Sequence, residues 1–167
     1  EGQIWESAIG AASEVFRHIT VIVDHNKLQS DTWVSSTSDL GDLEAKFQAF
    51  GWEVARCNGH DTEALEKALE QIRVAPRPGV VIADTIKGRG VSFMEHESLP
   101  KDGMYAYHSG APSAGDYERA IKELLERTEA LSDEATIEPP VPDIVPARPR
   151  VPVPSGASLV SLVEAYA

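Results

Sequence analysis

Glu1-Gly2-Gln3-Ile4-Trp5-Glu6 opens the chain, and Val21-Ile22-Val23-Asp24-His25-Asn26-Lys27-Leu28 follows it. The apolar period changes between the two. Ile4, Ala8, Ala11, Ala12, Val15 and Phe16 recur at helical spacing, which predicts a helix over 2–18. Thr20 to Asp24 is a short β-branched apolar run and predicts a buried parallel strand. Ligands of parallel sheets bind beyond the carboxyl ends of the strands, and Asp24-His25-Asn26 falls at such an end.

Working outward, the same alternation continues. Gln29 to Asp39 is polar and rich in Ser and Thr, and reads as a loop. Leu43, Phe47 and Phe50 mark a short helix that Gly51 ends. Trp52 to Arg56 reads as a second strand, closed by the turn residues Asn58-Gly59. Asp61 or Thr62 caps a helix with Leu65, Leu69 and Ile72 on one face, and Pro76 and Pro78 break it. Gly79 to Thr85 is another buried strand, and Thr85-Ile86-Lys87 lies at its carboxyl end. A long Gly-containing loop covers about 86–113, and loops of that size are often functional. A last helix runs from Ala114 to Leu131, with Tyr117, Ile121, Leu124 and Leu125 on one face.

This order predicts an α/β fold: a doubly wound, mostly parallel sheet, incomplete and followed by a Pro-rich linker. Seven of the 11 prolines fall between Pro139 and Pro154, so 132–156 reads as an extended interdomain linker. An apolar helix then starts, with Leu159, Leu162 and Val163. The expected division is a domain over 1–131, the linker, and the opening of a second domain at 157–167.

Composition narrows the function. Hydrophobic residues make up 42% and charged residues 25% of the 167, as in an ordinary soluble globular protein. The net charge of −12, from 15 basic and 27 acidic residues, argues against nucleic acid and against an anionic membrane surface. No run of about 18 apolar residues could span a membrane. Cys57 is the only cysteine, which rules out an internal disulfide or a cysteine zinc cluster and suits a reducing cytoplasm. We expect Cys57 to be core rather than reactive, and Trp5, Trp33 and Trp52 to serve packing. No Ser-His-Asp, zinc or Walker signature is present.

Four features could carry chemistry. Asn26, just past a strand and two residues before the Leu28 carbonyl, offers two oxygen ligands of the kind magnesium and calcium take, although an Asn here is also a plain turn former. Glu1 and Glu6 sit near a helix start, where carboxylates also simply favour the helix dipole. In Thr85-Ile86-Lys87-Gly88-Arg89-Gly90-Val91-Ser92-Phe93-Met94-Glu95, glycines allow close approach to a phosphate and Lys87 adds a point charge, but such a loop is also an ordinary solvated one. His108, in Tyr107-His108-Ser109-Gly110-Ala111-Pro112, is the fourth; its competitor His96 reads as a surface histidine. Gly59-His60-Asp61 reads as a turn plus helix cap, and His25 and Lys27 as neighbours of the metal position.

Together these stretches resemble the transketolase family over about 1–131, with 157–167 similar to the start of its pyrimidine domain. The resemblance implies that 1–131 is part of the diphosphate-binding domain for thiamine diphosphate, with Mg2+ or Ca2+ held by the Asn26 side chain and the Leu28 backbone carbonyl. It implies diphosphate contacts from Lys87 and His108, and a proton relay through Glu1 and Glu6 at a dimer interface. Clustered carboxylates raise one another's pKa, as such a relay requires. The family's Trp-His-Gly is replaced here by Tyr107-His108-Ser109-Gly110, within a longer loop. The family's Gly-Asp-Gly belongs just before Glu1. The resemblance therefore implies a companion segment or chain that carries that motif and the pyrimidine domain, in a homodimer or heterotetramer. The implied reaction transfers a two-carbon ketol unit from a ketose, such as a sugar phosphate, to an aldose. A deoxyxylulose phosphate synthase, a 2-oxo acid decarboxylating component, and a non-catalytic subunit retaining the fold are the alternatives.

Overall fold

Val80, Val81 and Ile82 have no solvent exposure, and the strand that carries them organises the molecule. A computed structural model describes residues 2–100 and 102–135. Its elements are α1 (Gly2–Ser13), β1 (Thr20–His25), β2 (Leu28–Gln29), β3 (Thr32–Trp33), α2 (Val34–Thr37), α3 (Leu43–Ala49), β4 (Glu53–Asn58), α4 (Thr62–Arg73), β5 (Gly79–Asp84) and α5 (Ala114–Ala135). Two short 3₁₀ turns, Ser92–Met94 and His96–Ser98, lie in the loop between β5 and α5. One compact unit runs through Arg127; of the residues from Thr128 onward, the last part of α5 is described. The expected 139–154 proline run and the second domain at 157–167 lie outside the described residues.

Three strands form a parallel sheet in the order β1-β5-β4. His25, Asp84 and Asn58 end in register at its carboxyl edge. A central strand must bury both faces, and β5 meets that demand with a continuous apolar run. Val80 and Ile82 pack with Ala8 of α1, Leu43 and Phe47 of α3, and Trp52. Val81 packs on the opposite face with Ala68 and Ile72 of α4. Helices thus cover both faces of a parallel sheet, as a doubly wound fold requires. Buried Trp52 donates from Nε1 to the Ala8 carbonyl at 2.8 Å, tying α1 to the start of β4. Trp5 packs with tilted rings against Phe47 and Phe50, centroids 5.5 and 6.0 Å away. Both tryptophans serve packing, as expected.

Several boundaries differ from expectation. The first helix ends at Ser13, not 18. The Phe16 amide bonds the Ala11 carbonyl and the Val15 amide bonds the Ala12 carbonyl, a Schellman cap with Val15 in the left-handed position at φ 51°. A β-branched residue there gives no stop signal in the sequence. Among the described residues β1 lies at the edge of the sheet with Ile22 57% exposed, a position that an apolar run in the sequence does not distinguish from a central one. The polar stretch read as a loop contains the β2–β3 hairpin and the single turn α2, both too short for a periodic signal. The last helix continues to Ala135, since no Gly or Pro interrupts it before Pro139. Asp61 is the cap of α4, accepting from the Ala64 amide at 3.0 Å.

Candidate functional site

The loops leaving β1 and β5 carry the candidate residues, and because the two strands are paired the loops are neighbours. Asn26 is locked at both ends of its amide. Its Nδ2 donates to Asp24 Oδ2 at 3.1 Å, and its Oδ1 accepts from the Leu28 amide at 3.0 Å. Asp24 is held in turn by the Thr85 hydroxyl from the end of β5. The turn needs Lys27 at φ 66°, a backbone strain of the kind retained at functional positions. Leu28 is buried, and the hairpin that follows turns through Ser30.

Lys87 and His108 come together although 21 residues separate them. Lys87 Nζ lies 3.0 Å from His108 Nδ1, donates to the Ser30 carbonyl at 2.8 Å, and stands 4.9 Å over the Tyr105 ring. The ammonium therefore bridges the loops that follow β1 and β5. Tyr105 anchors the long loop beneath it: its amide donates to the Asp31 carbonyl at 2.7 Å and its hydroxyl to the Met94 carbonyl at 2.8 Å. Burial raises the Tyr105 phenol pKa, so it stays a protonated donor. Gly88 is required here. Its φ is +82°, and a Cβ at this position would stand 2.0 Å from the Met94 carbonyl oxygen.

Other charged groups at the sheet edge are already paired. Asp84 is bound by Arg56 Nε at 2.6 Å and Nη2 at 3.0 Å, and by His25 Nδ1 at 2.7 Å. Arg56 chiefly, with help from His25, lowers the Asp84 pKa to about 2 against the opposing effect of burial. Arg56 also reaches Glu44 at 3.0 Å. His25, expected to be a mere neighbour, is thus part of this network. Cys57 has its thiol pKa raised, mainly by burial, which suits an unreactive role.

Two residues carry no signal that sequence reasoning caught. Gln29 Oε1 is buried without a hydrogen-bond partner among the described residues, and it lines a cavity of about 280 Å³ together with Asn26, Leu28, Trp5 and Phe47. An orphaned buried oxygen costs about 1–3 kcal/mol, which a bound cation or donor would relieve. Its place after Asn26-Lys27-Leu28 is the available signal. His60, read as part of a turn, accepts the Ile86 amide on Nε2 at 2.7 Å; nothing in the local sequence signals that contact.

His96 needs correction. It is 5% exposed rather than on the surface, because its ring is enclosed by the loop it closes. Glu6 is exposed on α1 and takes no part in the hydrogen bonds that hold Asn26 or Lys87. Glu1 lies outside the described residues.

The candidate donors are amide and carbonyl oxygens on the loop after β1, together with an ammonium that bonds the Ser30 carbonyl of that loop. No group of three or more His, Cys, Asp or Glu able to hold a metal occurs among the described residues. Asn26 Oδ1, the Leu28 carbonyl and Gln29 Oε1 are hard oxygens, suited to Mg2+ or Ca2+ rather than to a soft metal. Lys87 is suited to an anion. These residues fit a metal-bound diphosphate.

Residues 1–112, more than half of the chain, match the family model described as transketolase, thiamine diphosphate binding domain. The chain belongs to the transketolase family. It is 36% identical over 125 residues to a 6-deoxy-6-sulfo-D-fructose transketolase subunit of Clostridium sp., covering 74% of this chain and 43% of that one. It is 33% identical over 135 residues to an apulose-4-phosphate transketolase subunit of Phocaeicola vulgatus, covering 80% of this chain and 46% of that one. The chain thus spans less than half the length of these curated relatives. Among solved structures, Campylobacter jejuni transketolase is similar with a TM-score of 0.54 at 23% identity, covering 81% of this chain and 24% of that one. Pichia stipitis transketolase, in complex with sedoheptulose 7-phosphate, gives 0.55 at 17%, covering 81% and 24%. At those identities the structural likeness shows the fold, a partial transketolase-type α/β domain. No helix among the described residues is long and apolar enough to cross a membrane.

Proposed function

We propose that this chain supplies the diphosphate and metal end of a thiamine diphosphate site in a transketolase that transfers a two-carbon ketol unit from a ketose to an aldose. The observation that carries this reading is that Lys87 meets His108 and bonds the Ser30 carbonyl, on the same loop after β1 that holds the locked Asn26 amide. Thiamine diphosphate, when bound, supplies the carbanion chemistry that breaks and remakes the carbon–carbon bond beside a ketose carbonyl. The protein binds and orients. Lys87 Nζ and the His108 ring take phosphate oxygens. The Asn26 side chain and the Leu28 carbonyl take Mg2+ or Ca2+, and Asp24 and Thr85 hold Asn26 in place for that task. Gln29 Oε1 accepts a donor or cation at the cavity. Glu1 and Glu6 serve the proton relay at a dimer interface.

Relatives named as transketolase subunits support a reading in which a partner chain completes the site. We assign to that partner, or to a companion segment, the Gly-Asp-Gly ligand and the pyrimidine domain, in a homodimer or heterotetramer. Residues 132–156 then serve as linker and 157–167 as the pyrimidine domain's start. Relatives named for 6-deoxy-6-sulfo-D-fructose and apulose 4-phosphate make modified ketoses the first donors to screen. We assign the enzyme to the cytoplasm, which a single cysteine suits. The test is calorimetry with thiamine diphosphate and Mg2+ on this chain alone and with its partner, plus product analysis using labelled ketose donors against pyruvate. Tight Mg2+-dependent binding and two-carbon transfer are expected only with the partner. Unchanged binding in both N26A and K87A would overturn the assignment.

A further inference from the structure

His96 makes a closed pair of hydrogen bonds with the main chain of Lys87. Its Nδ1 accepts the Lys87 amide at 2.8 Å, and its own amide donates to the Lys87 carbonyl at 3.0 Å. The ring is buried and meets Trp33 of β3 edge-on, with centroids 5.5 Å apart. Trp33 Nε1 donates to the Pro100 carbonyl at 3.2 Å, so the hairpin after Asn26 and the loop after β5 close on the same imidazole. On the other side, His60 Nε2 takes the Ile86 amide. Two successive amides, those of Ile86 and Lys87, are thus each capped by an imidazole nitrogen. A main chain pinned at this point, with the ammonium already bonded to the Ser30 carbonyl, leaves little of Lys87 to be ordered when it meets an anion, which lowers the entropic cost of binding.

We propose that His96 is a positioning residue: its neutral imidazole, bonded to the Lys87 amide, sets where the Lys87 ammonium stands for diphosphate binding. This rests on the assignment of Lys87 to the diphosphate. The His96 ring accepts on Nδ1 only when that nitrogen is unprotonated. Burial lowers the His96 pKa, and the Lys27 and Lys87 charges act in the same direction against Glu97. The bond is therefore present at neutral pH and is lost as acid protonates the ring.

The test uses the full chain with its partner. Three variants are compared by calorimetry with thiamine diphosphate and Mg2+: H96F, which keeps a ring but loses the acceptor; H96N, whose amide oxygen can replace Nδ1 and does not titrate; and K87A. H96F should weaken binding roughly tenfold, the scale of one hydrogen bond. H96N should recover most of that loss and should lack the part of the acid decline, below about pH 6.5, that belongs to His96. Independently of cofactor, nitrogen NMR on histidine-labelled protein should show Nδ1 unprotonated at neutral pH. The Lys87 amide should be slow to exchange, and both signals should change together on acidification.

Weakened binding in K87A with wild-type affinity in H96F overturns the positioning role and leaves Lys87 in its assigned place. Wild-type affinity in K87A removes the Lys87 assignment itself. If H96F does not fold, an H96N pH profile parallel to wild type, or a protonated Nδ1 at neutral pH, still overturns the proposal.

Discussion

Replacing Gly88 with alanine tests whether the loop that holds Lys87 is built on contacts only a glycine permits. Gly88 has φ +82°, and an added Cβ would lie 2.0 Å from the Met94 carbonyl oxygen and 2.7 Å from the Tyr105 hydroxyl. That hydroxyl donates to the same carbonyl at 2.8 Å, so the methyl group would sit against both partners of the bond. The left-handed conformation costs about 1–2 kcal/mol for a residue with a Cβ, the broken bond about 1, and the stiffer unfolded chain returns about 0.5–1, for a net loss of roughly 2 kcal/mol. Gly10 provides the control: it lies inside α1 with nothing within 4 Å of an added Cβ. There alanine should instead stabilise by about 0.5–1 kcal/mol. Urea unfolding of both variants, read at the midpoint with an unchanged slope, measures the contrast. Since Met94 and Tyr105 belong to the loop that carries His96 and His108, G88A should also weaken thiamine diphosphate binding. A G88A midpoint equal to or above wild type would refute the geometry.

D84N should flatten stability against acid. The Asp84 pKa of about 2 lies below its unfolded value, so its stabilisation is full above about pH 4 and is lost as the pH falls toward 2; acid titrations of both proteins compare the slopes. V15G should stabilise by about 1 kcal/mol in thermal or urea unfolding, because it relieves a β-branched residue at φ 51°. D24A removes the carboxylate that orients the Asn26 amide, and should cost about 10–100-fold in the Mg2+ concentration needed for cofactor binding, measured by calorimetry at varied Mg2+. Unchanged Mg2+ dependence in D24A would separate Asn26 orientation from metal binding.

Much of the fold is legible in the residues themselves. Periodicity locates every long helix and the three sheet strands, since burying one face of a helix or both faces of β5 imposes a pattern on the residues. Capping chemistry narrows the start of α4 to Asp61 or Thr62, and the short apolar spacing finds α3. What escapes detection has no periodic signature. Leu28–Gln29 and Thr32–Trp33 are two-residue strands, and the Schellman cap at Val15 uses the residue type least expected there. His96 and His25 illustrate the larger gap. A histidine has the same appearance in sequence whether it is solvated, paired with Asp84, or closed over the Lys87 amide.

By itself the sequence determined the order of elements, the parallel α/β class, the transketolase resemblance, and the residue types suited to a metal-bound diphosphate. Those properties depend on near neighbours, on the helical and strand periods, and on motif spacing. Only the tertiary structure decided that the Lys87 ammonium meets His108, that His96 holds Lys87 by its backbone, that Asp24 and Thr85 lock Asn26, and that Gln29 is left with a buried oxygen lacking a partner among the described residues. Each of these is either a contact across loops or the absence of one. The parallel pairing of β1 with β5 brings those loops together, and the close approach of main chain at Gly88 shapes the one that carries Lys87.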